Sequence, residues 1–559
     1  MSELDVSALR RRFPRTCAEL LSRPAGPDVL SHLAQLEASL GQRAQGETGR
    51  SLFDRSSIPR RLRLDPREDR PLSAGDRFDV VMAGGGLSLI YAATLARAGL
   101  RVAVFDRRAI GCGHREWNIS RPELAPLWES GLFTRDEVQA LVRMQYRIGL
   151  CRFGQGSDHL VRDVLDCVVD AEALLSALRE KAVAAGATLI EQHTLVGYRR
   201  HAAGITVAIA PRSDPTRRRD LLARLFVDAL GTQSPHAAFD LLCPTVGGVM
   251  DNLTLGRGKD ELDPDVGEIL VTTEGVQDSE QHIWEGFPAP AETDVHGPPG
   301  SAAATGDPSR RMTIYLFYYQ RSGRLVERIQ AGEQPLFALY ERFFATLPRY
   351  KRGDLRLVRP TYGFIPGYTR LRPMPTSPGE RVFLVGDAAA RHSPLTFCGF
   401  GSMVRSFRPI AQGLVQALSD DDLSQARLSS LWSEPPALKV MGGLTLMMMP
   451  PPALAPGSDV DDPDWINRLL DTAFGVLASF GQEPYAAFLQ DRVDADTFTR
   501  FMFATAKQQP SVYRKAFSHL SPTELAAWMG RFLQFRRQSG RTAQPEPPLA
   551  ELPPPASPP

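Results

Sequence analysis

The sequence predicts an α/β fold: a bipartite, Rossmann-like nucleotide domain, an antiparallel β-sheet domain set between its two parts, and a helical C-terminal region. Three features lead to this fold. The stretch RFDVVMAGGG drives a buried apolar strand into glycines, LSLIYAATLARAG follows as a helix with small residues on one face, and LRVAVFDRR returns as a second strand. Such a strand–glycine turn–helix–strand order is a βαβ unit. Far along the chain, FLVGDAAA again carries an apolar strand into a polar, glycine-marked end, and helical patterning follows it.

Taken in order, residues 1–75 read as a helical extension with a loop, closing in the basic IPRRLRLDPREDRPL, a solvated face. The nucleotide domain is expected from 76–240 and 360–420. Within it, ATLIEQHTLVGYRR and GITVAIA read as antiparallel strands, and ARLFVDALG as a buried strand ending in glycine. Residues 240–360 supply the antiparallel-sheet domain through GEILVTTEG, QHIWEGFPA and MTIYLFYYQ, with a Gly/Pro/Ala-rich insert at 288–309 expected as a mobile loop. Residues 421–540 read as helical. Residues 541–559 are so rich in proline that an extended, disordered tail is expected.

Composition narrows the function classes. Of 559 residues, 65 are Lys or Arg and 64 are Asp or Glu, so the net charge of +1 gives no basis for a nucleic-acid partner. The six cysteines show neither CxxC nor Cys/His metal spacing, so free thiols and no metal site are expected. The opening MSELDVSALRRRF lacks the apolar core of a signal peptide, and a cytoplasmic location is expected. No stretch reaches the ~20 apolar residues of a membrane span. The nearest, VMGGLTLMMMPPPALAP, reads either as a packed helix end or as a patch at 444–449 that dips into a lipid surface.

Two constellations carry the chemistry. In the first, Gly84 makes the tight turn out of a strand and Gly86 lets the backbone approach a pyrophosphate at a helix N-terminus. Asp106, followed by Arg107, ends the second strand where an acid accepts hydrogen bonds from a ribose; Leu89 replaces the usual third glycine. The alternative is an ordinary βα turn. In the second, Gly386 and Asp387 bring a carboxylate to the same crevice, where it would accept from a polyol such as the ribityl chain of FAD; a helix cap is the alternative. The alanines 388–390 keep side chains away, and Gly399 to Gly401 offer N–H groups at the next helix, favouring negative charge.

With these residues named, the segments HREWNISRPEL, VDALGTQSP, GEILVTTEGVQDSEQHIWEGFPA, YGFIPGY and GDAAARHSPLTFCGFGS, in that order, resemble the CruA/CruP-type lycopene cyclase family of FAD-dependent oxidoreductase-like proteins. The likeness spans about residues 78–420. It implies noncovalent FAD, with NAD(P)H as a candidate reductant, a long apolar polyene substrate and peripheral contact with a membrane. It carries cofactor contacts onto Gly84, Gly86, Asp106, Asp387 and the Gly399 to Gly401 turn, and puts Glu116, Trp117 and Asn118 near the flavin. Ala390-Arg391-His392 stands where the family has Gly-Ile-Gln, Cys398 where it has glycine, and the acidic EET of the better-known cyclases is absent.

Cyclising an acyclic carotenoid end is redox-neutral: a proton adds to a terminal double bond, the cation attacks a neighbouring double bond, and a proton leaves. It needs an acid kept neutral by burial, aromatic faces for the cation and a dry site. Glu285, beside Trp284 on an apolar strand, is the first candidate and Glu116 the second; the null for Glu285 is a half-buried strand residue facing solvent. Tyr315, Phe317 and Tyr319 alternate along one strand as candidate walls of a polyene tunnel, with core packing as the alternative. Two other readings stand beside the cyclase: a flavin reductase or monooxygenase acting on a lipid or aromatic substrate, and a non-cyclising flavin- or carotenoid-binding paralogue.

Overall fold

The computed structural model describes residues 5–45, 74–112, 116–201, 204–237, 239–289, 307–369, 371, 377–391, 395, 399–432, 436–450, 462–512 and 520–539. The basic stretch at 58–72, most of the 288–309 insert and the proline-rich tail lie outside the described residues.

The first sheet is built as the glycine-turn strand demands. Arg77–Ala83 pairs in parallel with Val102–Phe105 on one side and Arg219–Asp228 on the other, and Thr188–Ile190 extends the sheet beyond Val102–Phe105. These strands are apolar on both faces: helices cover one, and on the other Val81, Ala83, Ala103 and Phe105 pack with Tyr198, Ile205 and Val207. Val80, Met82, Val102 and Val104 share one core with the helices Leu89–Arg97, Ala171–Ala184 and Gly399–Ser419. Arg219–Asp228 forks. Its first half pairs antiparallel with Gly204–Pro211, which pairs with His193–His201; its last residues pair in parallel with Val382–Leu384. The segment before Gly386-Asp387 therefore enters the same sheet as the segment before Gly84.

Gly84 has φ +109, and a Cβ there would lie 2.4 Å from the Ala229 carbonyl oxygen. That carbonyl cannot retreat freely, because the Ala229 N–H donates to the Ala83 carbonyl at 2.8 Å. Only glycine fits both the left-handed turn and the close approach of the neighbouring strand.

The second sheet has eight strands. Leu241–Leu253 pairs antiparallel with Gly353–Gly367, Met312–Phe317 and the short Gln320–Arg321; Ile283–Pro288 and Val266–Thr272 follow, then Ile148–Phe153 and His159–Val161. One face is sealed by the amphipathic helix Pro335–Tyr350 and the N-terminal helices Pro14–Leu21 and Gly26–Gln45, in a core containing Trp284, Ile314, Leu316 and Phe337.

Two expected boundaries move. Ile148–Phe153 and His159–Val161, read with the nucleotide domain, belong to the second sheet, because Ile148–Phe153 runs parallel to Val266–Thr272. A short apolar strand does not encode which sheet it joins. Gly353–Gly367 is one long strand of the second sheet, so the returning nucleotide segment contributes its strand only at Val382–Leu384. A small third sheet of Glu116–Ile119, Cys167–Asp170 and Val142–Gln145 was not foreseen.

Beyond residue 420 the described residues are mainly helical, ending in Pro522–Ser539. The proposed lipid patch at 444–449 is corrected here. Thr445, Leu446, Met448 and Met449 are buried against Trp465–Ser479, and Leu444 and Met447 are half-buried against the same core. The methionines fill irregular space between helices. Among the described residues no helix is long and apolar enough to cross a membrane.

Gly84→Ala is expected to lower stability by about 1–3 kcal/mol, the cost of a strained left-handed residue, compounded by the contact with Ala229. Gly99→Ala, also at positive φ (+85) but with open space around it, is expected to cost less. Urea denaturation of both variants measures the difference.

Candidate functional site

In open α/β sheets ligands bind outside the carboxyl ends of the strands. Here those ends lie beneath the inner face of the second sheet, and between them is a cavity of about 580 Å³, within the usual range for cofactor and small-molecule sites. Its floor is Gly86 and Leu87 of the first turn, Arg107 and Arg108 after the second strand, residues 229–233 after the third, and 384–387 after the returning one. Its roof is the second sheet, and its walls include Trp117, Asn118, Phe400 and the N-terminal helix.

Gly86, Arg107, Asn118, Glu285, Gly386, Asp387 and Gly399 all line this cavity. A Cβ on Gly86 would meet nothing within 4 Å, so the backbone there is open to close approach. Gly386 turns at φ +61, and a Cβ there would come within 2.8 Å of Met403 Cε. The turn leaves the Asp387 side chain exposed on the cavity.

Gly84, Asp106 and Gly401 stand behind the lining. Asp106 Oδ2 accepts from the Gly85 N–H and Oδ1 from the Arg108 N–H, each at 2.8 Å. The acid thus ties the glycine turn to the arginine pair, with lone pairs left for a further donor. Gly401 is bare for another reason: a Cβ there would lie 3.0 Å from Glu123 Oε2, and Glu123 forms an ion pair with Arg405 on the same helix. Glu116 opens the third-sheet strand opposite Asp170; its side chain lies outside the described residues, as do His392 and Cys398.

Glu285 owes its position to strand alternation. On Ile283–Pro288, Trp284 points into the core and stacks on Tyr350 with ring centroids 4.5 Å apart. Its neighbour Glu285 therefore faces the cavity, directly across from Tyr315 on the next strand. Asn118 Nδ2 donates to Glu285 Oε1 at 2.8 Å, and no cation pairs with the carboxyl among the described residues. Burial raises its pKa to about 7, against the smaller lowering effect of the Asn118 hydrogen bond. Tyr146 is fully buried beside this pair and its hydroxyl is held far above the ordinary range, first by burial and then by the Glu285 charge. Glu285 is half-buried and its carboxyl opens onto this cavity.

Tyr315, Phe317 and Tyr319 all line the cavity, and Tyr319 donates to the Leu395 carbonyl at 2.9 Å. Trp117 packs against Phe400 at 4.9 Å, and the Arg391 guanidinium lies 4.1 Å from the Trp432 ring centroid. Several residues that form or support the lining were missed in the sequence. Asp228 is buried at a strand end, accepting from the Leu230 N–H at 3.0 Å and from Ser234 Oγ at 2.6 Å, and so shapes the 229–233 floor. Its FVDALG context, like the Gly-Asp strand end, was a usable signal. His32, Leu36 and Tyr362 gave none, because their role arises from tertiary packing.

No protein-family model and no curated protein matches the chain. Among solved structures it is similar to a geranylgeranyl bacteriochlorophyll reductase-like protein from Thermoplasma acidophilum (13% identity, TM-score 0.45, 80% of this chain and 100% of that one). It is also similar to the halogenase PltM in complex with phloroglucinol and FAD (14%, 0.48, 84% and 93%). A third is the myxobacterial chondrochloren halogenase CndH, a FAD-dependent halogenase (14%, 0.47, 82% and 97%).

The raised pKa of Glu285 has a stability consequence with a definite sign. The folded state holds a proton that the unfolded chain releases near pH 4.5, so this residue's contribution declines as pH rises from about 4.5 to about 7 and then levels. Glu285→Gln, a neutral isostere, removes that decline. Urea midpoints are expected to rank the variant higher relative to wild type at pH 8 than at pH 5.

Proposed function

We propose that the protein is an FAD-dependent enzyme and that, within this class, it catalyses the proton-initiated, redox-neutral cyclisation of an acyclic carotenoid end. The single observation that carries the reading is Glu285: a desolvated carboxyl, its pKa raised to about 7 so that a large share stays protonated at neutral pH, facing one cavity with the open backbone of two nucleotide-type strand ends. A carboxyl so held is a proton donor at neutral pH.

The residues fit a dinucleotide. Gly86 and the start of Leu89–Arg97 suit a pyrophosphate, Asp106 a ribose, Asp387 a ribityl hydroxyl, and the N–H groups opening Gly399–Ser419 a negatively charged ring. Bound FAD supplies redox chemistry or, when reduced and anionic, a fixed negative charge in the cavity.

The protein's own groups account for the proton steps. Asn118 fixes the carboxyl through Oε1, and Glu285 gives its proton to a terminal carbon–carbon double bond. The resulting tertiary cation faces the π systems of Tyr315 and Trp117 and is attacked by the neighbouring double bond, closing the ring. A ring-carbon proton then returns to the Glu285 carboxylate and the acid is restored. The aromatic lining from Phe317 to Phe400 excludes water, which would otherwise trap the cation. An apolar substrate of this kind is drawn from lipid, so peripheral membrane contact belongs to the proposal, through a surface other than 444–449.

Asp387→Ala is expected to weaken FAD retention with little change in stability, since the side chain is exposed on the cavity; absorbance of the purified variant at saturating and limiting FAD checks this. The function itself is tested by pigment analysis of lycopene-accumulating cells. Wild type is expected to yield cyclic carotenoid and Glu285→Gln to lose about 10²–10⁴-fold of the rate while keeping FAD, as on loss of a general acid. Unchanged pigment with NAD(P)H-dependent bleaching of bound FAD would instead support the reductase or monooxygenase reading.

A further inference from the structure

We propose that the N-terminal helix Gly26–Gln45 is part of the nucleotide site, and that its His32 is a positioning residue that aims Arg108 at the phosphate-bearing half of the dinucleotide. The inference rests on the FAD reading above and adds a component to it.

His32 joins three separate parts of the chain. Its Nε2 lies 2.7 Å from the Arg108 guanidinium and its Nδ1 lies 3.0 Å from the Tyr362 hydroxyl. Arginine only donates, so Nε2 must be the acceptor and the proton must be on Nδ1, which donates to Tyr362. Burial, followed by the charges of Arg108, Arg107 and Arg212, lowers the His32 pKa to about 4. The ring is therefore neutral at physiological pH and able to accept. Tyr362 belongs to the long strand Gly353–Gly367 of the second sheet, and Arg108 to the loop after Asp106.

His32, Arg107, Arg108 and Tyr362 all line the main cavity. Leu36, one turn further along the helix, lines it too, and also borders an adjoining cavity of about 240 Å³ that shares Thr232, Gln233 and Phe364 with the main one. The helix is thus a wall of the site and not a remote extension. The charges of Arg107, Arg108 and Arg212 all act on His32, and Arg107 is set against both of the other arginines with the Asp106 carboxylate as its acidic neighbour. That excess of positive charge at the end of the second strand matches a diphosphate. Arg108 is held at both ends, by its own N–H on Asp106 and by its guanidinium on His32. A long, exposed side chain fixed before binding loses less freedom when the ligand arrives.

The test measures FAD affinity of the full-length apoprotein by flavin fluorescence quenching. His32→Leu, which cannot accept, is expected to raise Kd about tenfold, the effect of mis-aiming one charge-assisted hydrogen bond. His32→Gln offers a carbonyl acceptor and is expected to stay within about twofold of wild type. Arg108→Gln should match His32→Leu, and the double variant should be no weaker than Arg108→Gln, because both remove the same interaction. Wild-type affinity in His32→Leu, no rescue by Gln, or additive losses in the double variant would overturn the positioning role while leaving the FAD reading intact. Absence of FAD binding by wild type would overturn both.

Discussion

One constraint governs the molecule: the carboxyl ends of four parallel strands converge under the face of a second, largely antiparallel sheet, and the space between must stay open. At the floor this requires turns without side chains, met by Gly84 with its neighbouring carbonyl only 2.4 Å from a would-be Cβ, and by the left-handed Gly386. At the roof it requires an inner face that neither collapses onto the floor nor fills with water. Aromatic residues on alternating positions meet that need, and the carboxyl among them, Glu285, has no cationic partner among the described residues.

The roof is held from behind. Trp284 stacks on Tyr350, whose hydroxyl donates to Glu268, and Lys351 Nζ lies 2.6 Å from the same carboxylate. A buried pair of this kind gains little net stability after desolvation but tolerates few geometries. It ties Val266–Thr272 to the end of Pro335–Tyr350. With Trp284 anchored on one side, the two-residue period of the strand puts Glu285 on the other, and Asn118 from the third sheet meets it there. The acid's orientation is a consequence of core packing two residues deep.

Much of this was legible in the sequence, and the reasons are local. Glycine turns at the ends of apolar strands have few alternative explanations, so Gly84, Gly86, Gly386 and the strands before them were read correctly as elements of one sheet. The alternation around Trp284 and Glu285 likewise marked a half-apolar strand. What was illegible depends on choices that a short window cannot encode. Ile148–Phe153 is apolar enough to enter either sheet, and its parallel pairing with Val266–Thr272 decides the matter. The methionines at 447–449 have the composition of a lipid-facing patch, yet helix packing buries them. Nothing in the sequence around His32 marks it; only the approach of Arg108 and Tyr362 gives it a role.

The central claim is that one cavity holds both the flavin and a buried acid with a pKa of about 7. The visible absorption of protein-bound FAD, titrated from pH 5 to pH 9, tests it directly, because ionisation of a carboxyl near the flavin ring perturbs the spectrum. The account predicts a spectral shift with a midpoint about pH 7 in the wild type and its absence in Glu285→Gln, with FAD bound in both. An identical spectrum throughout that range in the two proteins, or the same titration in both, would contradict it.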